Sequence, residues 1–184
     1  MTLLLIGSSI LKNWRLLSKI YKNNNILINN AVGGSTTEYQ LLNFNKLIIP
    51  YNPSIIIWYC GSNDINNNIN IYTIILNTIK WLNKVILLYP HCKILLLSII
   101  KSPQKLIDGH INTINFINDF LENVIRNYFI KYNISFIDIN TYLFDNTNKV
   151  IIDFYKKDNL HLKNSAYKIL TPCIVRYISN ISNH

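Results

Sequence analysis

The sequence predicts an α/β fold in which a parallel sheet of about five strands lies between two layers of helices, a three-layer α/β/α sandwich. Five short apolar runs are continuous rather than alternating, as expected for strands covered on both faces. Longer segments with helical spacing separate them, and this alternation favours a parallel sheet with right-handed crossovers. The 184 residues contain neither a Pro- or Ser-rich linker nor an internal repeat, so we expect one domain over residues 1–184.

Each predicted element follows from its local pattern. The strands are the apolar runs Thr2–Ile6, Ile26–Asn29, Ser54–Cys60, Lys93–Ile99 and Ile134–Asp138. The helices carry apolar residues at three- and four-residue spacing, and they are predicted over Ile10–Tyr21, Thr36–Ile49, Asn70–Leu88, His110–Lys131 and Asn164–Ser179. The segment 141–158 is the least regular, and we expect a short hairpin around Asp145-Asn146-Thr147-Asn148.

The net charge of +9 raises the hypothesis of a nucleic-acid or anionic-surface binder. The lysines and arginines are scattered, however, and no motif of a nucleic-acid-binding fold occurs. Aromatic and basic residues are not interleaved, so the tryptophans are interpreted as packing residues rather than a stacking platform for bases. We therefore expect no nucleic-acid partner.

The cysteines and the N-terminal segment bear on compartment and cofactors. Cys60, Cys92 and Cys173 are odd in number and show no CxxC spacing, which predicts neither a disulfide framework nor a zinc site, and we expect no metal or cofactor. The first apolar run lacks a basic leader and is broken by Gly7, so it does not resemble a signal peptide. No uninterrupted apolar stretch approaches the length of a membrane span, and these features together fit a cytoplasmic protein.

Four short polar motifs follow apolar runs or lie near the end of the chain, and the first contains a candidate nucleophile. Ser9, in Gly7-Ser8-Ser9, follows a strand and opens a helix. Its backbone N–H would be unpaired in the first helical turn and would feel the positive end of the helix dipole, which favours an oxyanion. The alternative is an N-cap serine. Ser8 is the competing nucleophile, and we favour Ser9 because it is closer to the helix start.

The next two motifs offer hydrogen-bond donors. Gly33-Gly34 ends the second strand, where glycine lets the backbone approach a ligand and present an N–H; an ordinary turn is the alternative. Asn63, in Gly61-Ser62-Asn63-Asp64, has a side-chain amide that can donate to an oxyanion, the alternative being an Asx turn. Asp64 is interpreted as structural, an acceptor of backbone N–H bonds.

The fourth motif, Asp158-Asn159-Leu160-His161, places a carboxylate three residues before a histidine. In one turn that spacing puts both side chains on one side, so His161 could act as a general base oriented by Asp158. His110 with Asp108 is the second choice for the base. We interpret His91 and His184 as surface or structural residues.

In this order the motifs resemble those of the SGNH (GDSL-type) hydrolases, especially the branch of platelet-activating-factor acetylhydrolase catalytic subunits and short-acyl esterases. The resemblance spans almost the whole chain and implies a flavodoxin-like fold. It implies Ser9, Asp158 and His161 as a catalytic triad, with Ser9, Gly34 and Asn63 as oxyanion donors. Ser8 replaces the family's more usual Asp, and Lys163 and Ala166 replace a usual Asn and Gly, whereas Tyr167 is retained.

The sequence thus predicts a serine esterase that cleaves a short-chain ester, such as an acetyl ester, of a carbohydrate or lipid through an acyl-enzyme on Ser9. The alternative is a catalytically weak or inactive module of the same fold that binds an acylated or glycan ligand.

Overall fold

The structure, a computed structural model, describes residues 1–20 and 26–179. Its centre is a parallel sheet with the strand order β2-β1-β3-β4-β5. The strands lie where the apolar runs predict them, with no end shifted by more than two residues: β1 (Thr2–Gly7), β2 (Ile26–Asn29), β3 (Ile55–Tyr59), β4 (Lys93–Leu97) and β5 (Ile134–Ile137).

The α-helices among the described residues are α1 (Ser9–Lys12), α2 (Arg15–Ile20), α3 (Thr37–Leu42), α4 (Phe44–Leu47), α5 (Ser62–Asn66), α6 (Ile71–Leu88), α7 (Pro103–Ile107), α8 (Ile111–Tyr128) and α9 (Asn164–Ser179). Short 3-10 turns follow at Ile49–Tyr51, Ile139–Tyr142 and Ile152–Phe154. The three long helices α6, α8 and α9 agree with prediction to within a few residues. The expected hairpin is also confirmed, since Phe144 and Val150 form an antiparallel bridge around it.

Two predicted helices are wrong in detail because each is divided. The first breaks after Lys12, where Asn13 caps α1 and the chain restarts at Arg15; the predicted end, Tyr21, lies outside the described residues. The second breaks at Asn43, whose side-chain amide donates to the carbonyl of Tyr39 and so competes with helix continuation.

The two faces of the sheet each bury a core, which establishes the three layers. Along β1, Leu3 and Leu5 belong to one hydrophobic cluster, with α1 and α9, whereas Leu4 and Ile6 belong to the other, with α6 and α8. The alternation is that of a strand between two helical layers. The predicted α/β/α sandwich is therefore confirmed.

Helix α6 is the one helix of the described chain that is long and apolar enough, by length and composition, to cross a membrane. Its residues Trp81, Leu82 and Val85 are buried against the sheet. One side of α6 therefore covers the sheet.

The strand order places the candidate site. The chain passes from β1 to β2 on one side and then returns to β3 on the other side of β1, so the connections after β1 and β3 diverge at a switch point. Ligand sites in such sheets lie in the crevice outside the carboxyl ends of the strands at this point. Ser9 follows β1 and Asn63 follows β3, so both lie at this edge of the sheet.

Candidate active site

Ser9 is the first residue of α1, directly after β1. Its Oγ lies 2.9 Å from Nε2 of His161. Helix α1 has only four residues, so the helix dipole expected to assist at this position is weak. At this position the structure therefore places the Ser9 hydroxyl beside the His161 imidazole, and Ser9 also carries its own backbone N–H at the start of a short helix.

Ser8 differs from Ser9 in exposure and in backbone contacts. It is 1 % exposed, whereas Ser9 is half-buried. The Ser8 N–H donates to the carbonyl of Tyr59 at 2.9 Å, which ties the residue to the end of β3. Burial and backbone pairing thus separate Ser8 from solvent, and the hydroxyl beside the imidazole is that of Ser9.

Helix α9 anchors α1 and the chain just after it. The hydroxyl of Tyr167 donates to the carbonyl of Ile10 at 2.8 Å, and the indole N–H of Trp14 donates to Oγ1 of Thr171 at 2.8 Å. Ile10, Trp14 and Tyr167 also belong to one buried hydrophobic cluster. Ser9 is thereby carried on a backbone fixed from both the sheet and the C-terminal helix.

Asp158 is bonded to the ring and to the backbone of its own loop. Its Oδ2 lies 2.8 Å from Nδ1 of His161, and its Oδ1 accepts the N–H groups of Leu160 and His161 at 3.0 and 2.9 Å. Partial burial raises the pKa of Asp158, but these backbone N–H groups and the imidazole outweigh it and lower the pKa to about 2. The carboxylate is therefore ionised at neutral pH.

The loop that carries this pair is closed at both ends. Tyr155 and Leu162 form an antiparallel bridge, and the Lys156 N–H donates to the His161 carbonyl at 2.7 Å. Asn159 adopts a left-handed φ of 56°, which asparagine tolerates better than most residues. The spacing of Asp158 and His161 is thus that of a tight, hydrogen-bonded turn rather than of a helix.

Gly34 and Asn63 are linked through the intervening Ser35. The Asn63 amide donates to the Ser35 carbonyl at 2.9 Å, and the Ser35 hydroxyl donates to the Gly7 carbonyl at 3.0 Å. Gly34 is exposed and has a φ of 77°. These hydrogen bonds join the Asn63 side chain to the loop after β2 and that loop to the end of β1, and Gly34 is the residue next to Ser35 in this loop.

Gln40 reinforces this hydrogen-bonded network, although nothing in its sequence context indicates such a role. Its Nε2 donates to the Gly7 carbonyl at 3.0 Å and to Ser35 Oγ at 2.8 Å, and the residue is fully buried. In the sequence it is one polar residue on a helix, where exposure is the usual outcome.

Asp64 has the structural role predicted for it. Its carboxylate accepts the Thr37 N–H at 3.0 Å and the Thr37 hydroxyl at 2.5 Å. Burial raises the pKa of Asp64 against these hydrogen bonds. These hydrogen bonds connect the start of α3 to α5. The Asp64 carboxylate is therefore engaged in structural hydrogen bonds.

The second-choice base is not assembled. Asp108 is bonded to the side chain of Gln104, and among the described residues the ion pairs involving histidine are limited to that of His161. His91 lies on the surface, and His184 lies outside the described residues. No group of three or more metal-ligating side chains occurs in the described part of the chain.

Comparison with known proteins identifies the family. The model of the GDSL-like lipase/acylhydrolase family matches residues 9–169. The chain belongs to this family. As a GDSL-like acylhydrolase it is a hydrolase acting on ester bonds, and the family expected from the four motifs is confirmed.

Solved structures share the fold of this acylhydrolase. A Streptococcus pneumonia protein provisionally named for platelet activating factor has a TM-score of 0.81 at 22% identity, covering 95% of this chain and 82% of its own. The lipase/acylhydrolase from Enterococcus faecalis has a TM-score of 0.77 at 20% identity, covering 97% and 95%. A variant of an acetyl-xylooligosaccharide esterase from Geobacillus Stearmophilus has a TM-score of 0.79 at 16% identity, covering 96% and 93%. No curated protein sequence matches the chain.

Proposed function

We propose that the chain is a serine esterase that cleaves a short-chain ester through an acyl-enzyme on Ser9. The observation that carries this proposal is the continuous relay from Ser9 Oγ to His161 Nε2 at 2.9 Å and from His161 Nδ1 to Asp158 Oδ2 at 2.8 Å. Such a relay is what a hydroxyl needs to become a nucleophile at neutral pH.

Acylation begins when Ser9 Oγ attacks the ester carbonyl while His161 Nε2 accepts the hydroxyl proton. The ionised Asp158 accepts a hydrogen bond from the Nδ1–H group of His161 without taking the proton, which fixes the tautomer and stabilises the imidazolium that forms. Because two backbone N–H groups hold the other carboxylate oxygen, the acid does not have to reorient during this step.

The tetrahedral intermediate carries a negative oxygen that needs donors. We assign these to the N–H groups of Ser9 and Gly34 and to the side-chain amide of Asn63. One Nδ2 hydrogen of Asn63 is held by the Ser35 carbonyl, which pre-orients the amide and leaves its second hydrogen for the oxyanion. Donors fixed before the reaction stabilise the intermediate without reorganisation.

Collapse of the intermediate transfers the proton from His161 to the departing alcohol and leaves the acyl group on Ser9. Water then attacks the acyl-enzyme, His161 accepts its proton, and a second tetrahedral intermediate releases the acid and restores the serine hydroxyl.

The exposure of the site supports a small acyl group. Ser9 and His161 are half-buried, Gly34 is exposed, and the Asp158 side chain is 48% exposed. Two cavities of about 570 and 530 Å³ are lined by residues outside the triad and the candidate oxyanion donors. A shallow site stabilises a long acyl chain poorly, because little apolar surface is buried. We therefore propose a short acyl group, such as acetyl, on a carbohydrate or lipid alcohol.

Hydrolysis of p-nitrophenyl acetate, butyrate and octanoate tests the reaction and the pocket together. We expect turnover that is highest for acetate and abolished in Ser9→Ala. A preference for octanoate would contradict the short acyl group. Absence of turnover with all three esters in a folded wild-type protein would instead favour a binding module.

A further inference from the structure

Lys105, in α7, is a fully buried lysine outside the proposed triad and oxyanion donors. Its side chain is 0% exposed, and its ammonium donates to the carbonyl of Ser62 at 2.8 Å and to Oδ1 of Asn66. Both acceptors belong to α5, the five-residue helix whose second residue is Asn63. Lys105 is thus hydrogen-bonded to both ends of the helix that carries Asn63, a proposed oxyanion donor.

The acceptors of this ammonium are neutral. Among residues 1–20 and 26–179, no carboxylate lies within 4 Å of the Lys105 ammonium. Burial lowers the pKa of Lys105 to about 8, against the opposing charge of Asp108. Burying an ammonium without a carboxylate is unfavourable, so it has to be compensated by fixed hydrogen bonds.

Helix α7 also contacts the loop of the proposed acid and base. The Gln104 N–H donates to the carbonyl of Asn159 at 2.9 Å, and Asn159 lies between Asp158 and His161 in the sequence. The start of α7 is itself fixed, because the Ser102 hydroxyl accepts the Lys105 N–H at 3.3 Å. One short helix is therefore bonded both to α5 and to the loop 158–161.

We propose that Lys105 is a positioning residue: by holding Ser62 and Asn66, it fixes the Asn63 amide relative to the Ser9–His161–Asp158 relay. This inference rests on the proposed function. Ser62 is one residue before Asn63 in α5, and Asn66 is three residues after it. If the Ser62 carbonyl and Asn66 Oδ1 lose their bonds to Lys105, the short helix can rotate and carry Asn63 with it. A helix of five residues has too few internal hydrogen bonds to hold its own orientation, and the contact from α7 supplies the constraint.

Lys105→Met is the test variant because it removes the ammonium but keeps most of the buried volume. Lys80→Met, on the exposed face of α6, is the matched control, and Asn66→Ala removes one acceptor while keeping the lysine. Because a misplacement of about 1 Å can cost on the order of a hundredfold in rate, we expect a fall in kcat of about tenfold or more in Lys105→Met with little change in KM. Asn66→Ala should show a smaller fall of the same kind.

A double-mutant cycle separates positioning from a general structural effect. If Lys105 acts through Asn63, Lys105→Met should change kcat by less than about twofold when Asn63 is already alanine. Hydrogen–deuterium exchange should also be faster over residues 62–67 in Lys105→Met and unchanged in Lys80→Met.

Each result decides the proposal. An unchanged kcat in folded Lys105→Met, or an equal fall with and without Asn63, would overturn it. A wild-type protein that neither turns over esters nor reacts at Ser9 would refute the proposed function instead. In that case hydrogen exchange still decides the role of Lys105, since unchanged protection of α5 in Lys105→Met would show that it does not position the helix.

Discussion

His161 Nε2 lies 2.9 Å from Ser9 Oγ, although 152 residues separate the two in the sequence. The sheet produces this contact. Strand β1 places Ser9 at its carboxyl end. Helix α9, which follows the loop of His161, is bonded to α1 through Tyr167 and to Trp14, just after α1, through Thr171. The distance is therefore set by the packing of a central strand and a C-terminal helix rather than by either loop alone.

Replacing Asp158 by Asn tests the orientation of the imidazole. The Asn oxygen can still accept the N–H groups of Leu160 and His161, so the loop should persist, but the ring loses its carboxylate and its preferred tautomer. We expect kcat to fall by about a thousandfold or more. Asp153→Asn, an exposed change in the preceding turn, is the control and should be near wild type. A comparable kcat in folded Asp158→Asn would exclude Asp158 from the relay.

Replacing Asn63 by Ala tests the side-chain oxyanion donor. Loss of one such donor should reduce kcat on the order of a hundredfold or more, with the fold unchanged. Circular dichroism and steady-state kinetics check both parts, and Asn112→Ala, at an exposed position of α8, is the control. Near-wild-type turnover in a folded Asn63→Ala protein would remove Asn63 from the site.

Replacing Gly7 by Ala tests the close approach of β1 to β3. A Cβ at this position would lie 1.9 Å from the Tyr59 carbonyl oxygen, and the φ of 143° is strained for any other residue. We expect a loss in the free energy of unfolding of about 3 kcal/mol or more, measured by urea denaturation. Gly109→Ala meets no atom within 4 Å and should cost only the strain of its own φ. Equal stabilities of the two variants would contradict this account.

The buried Lys105 should make stability depend on pH. Its pKa falls from 10.5 to about 8 on folding, so between these values the unfolded chain binds more protons than the folded one. The free energy of unfolding attributable to this group therefore rises with pH from about 8 to 10.5. Relative to Lys105→Met, the wild type should gain stability across that window. A difference that is constant with pH would show that the ammonium is not desolvated.

The strands and long helices could be predicted because their signals are local. A continuous apolar run such as 55–59 has few alternatives to a buried strand, and α9 matches its predicted bounds because its apolar spacing is sustained. The short helices α5 and α7 could not be predicted, because five residues give too little periodicity. The breaks at Asn13 and Asn43 depend on capping contacts that the sequence does not specify.

In the candidate site, too, some residues could be predicted from local sequence, whereas others depend on distant contacts. The motifs around Ser9 and Asn63 could be placed together because each follows a strand of one parallel sheet. Lys105 could not be predicted, because a lysine in a Ser-Pro-Gln-Lys segment is normally exposed. Its burial depends on acceptors 43 and 39 residues away, at Ser62 and Asn66.

Intact-mass measurement after treatment with a fluorophosphonate tests the central claim most directly, using wild type, Ser9→Ala and Ser8→Ala. We predict a single adduct in wild type and in Ser8→Ala, because Ser9 Oγ is the hydroxyl beside His161, and no adduct in Ser9→Ala. An adduct that persists in folded Ser9→Ala but disappears in Ser8→Ala would make Ser8 the nucleophile and contradict the account.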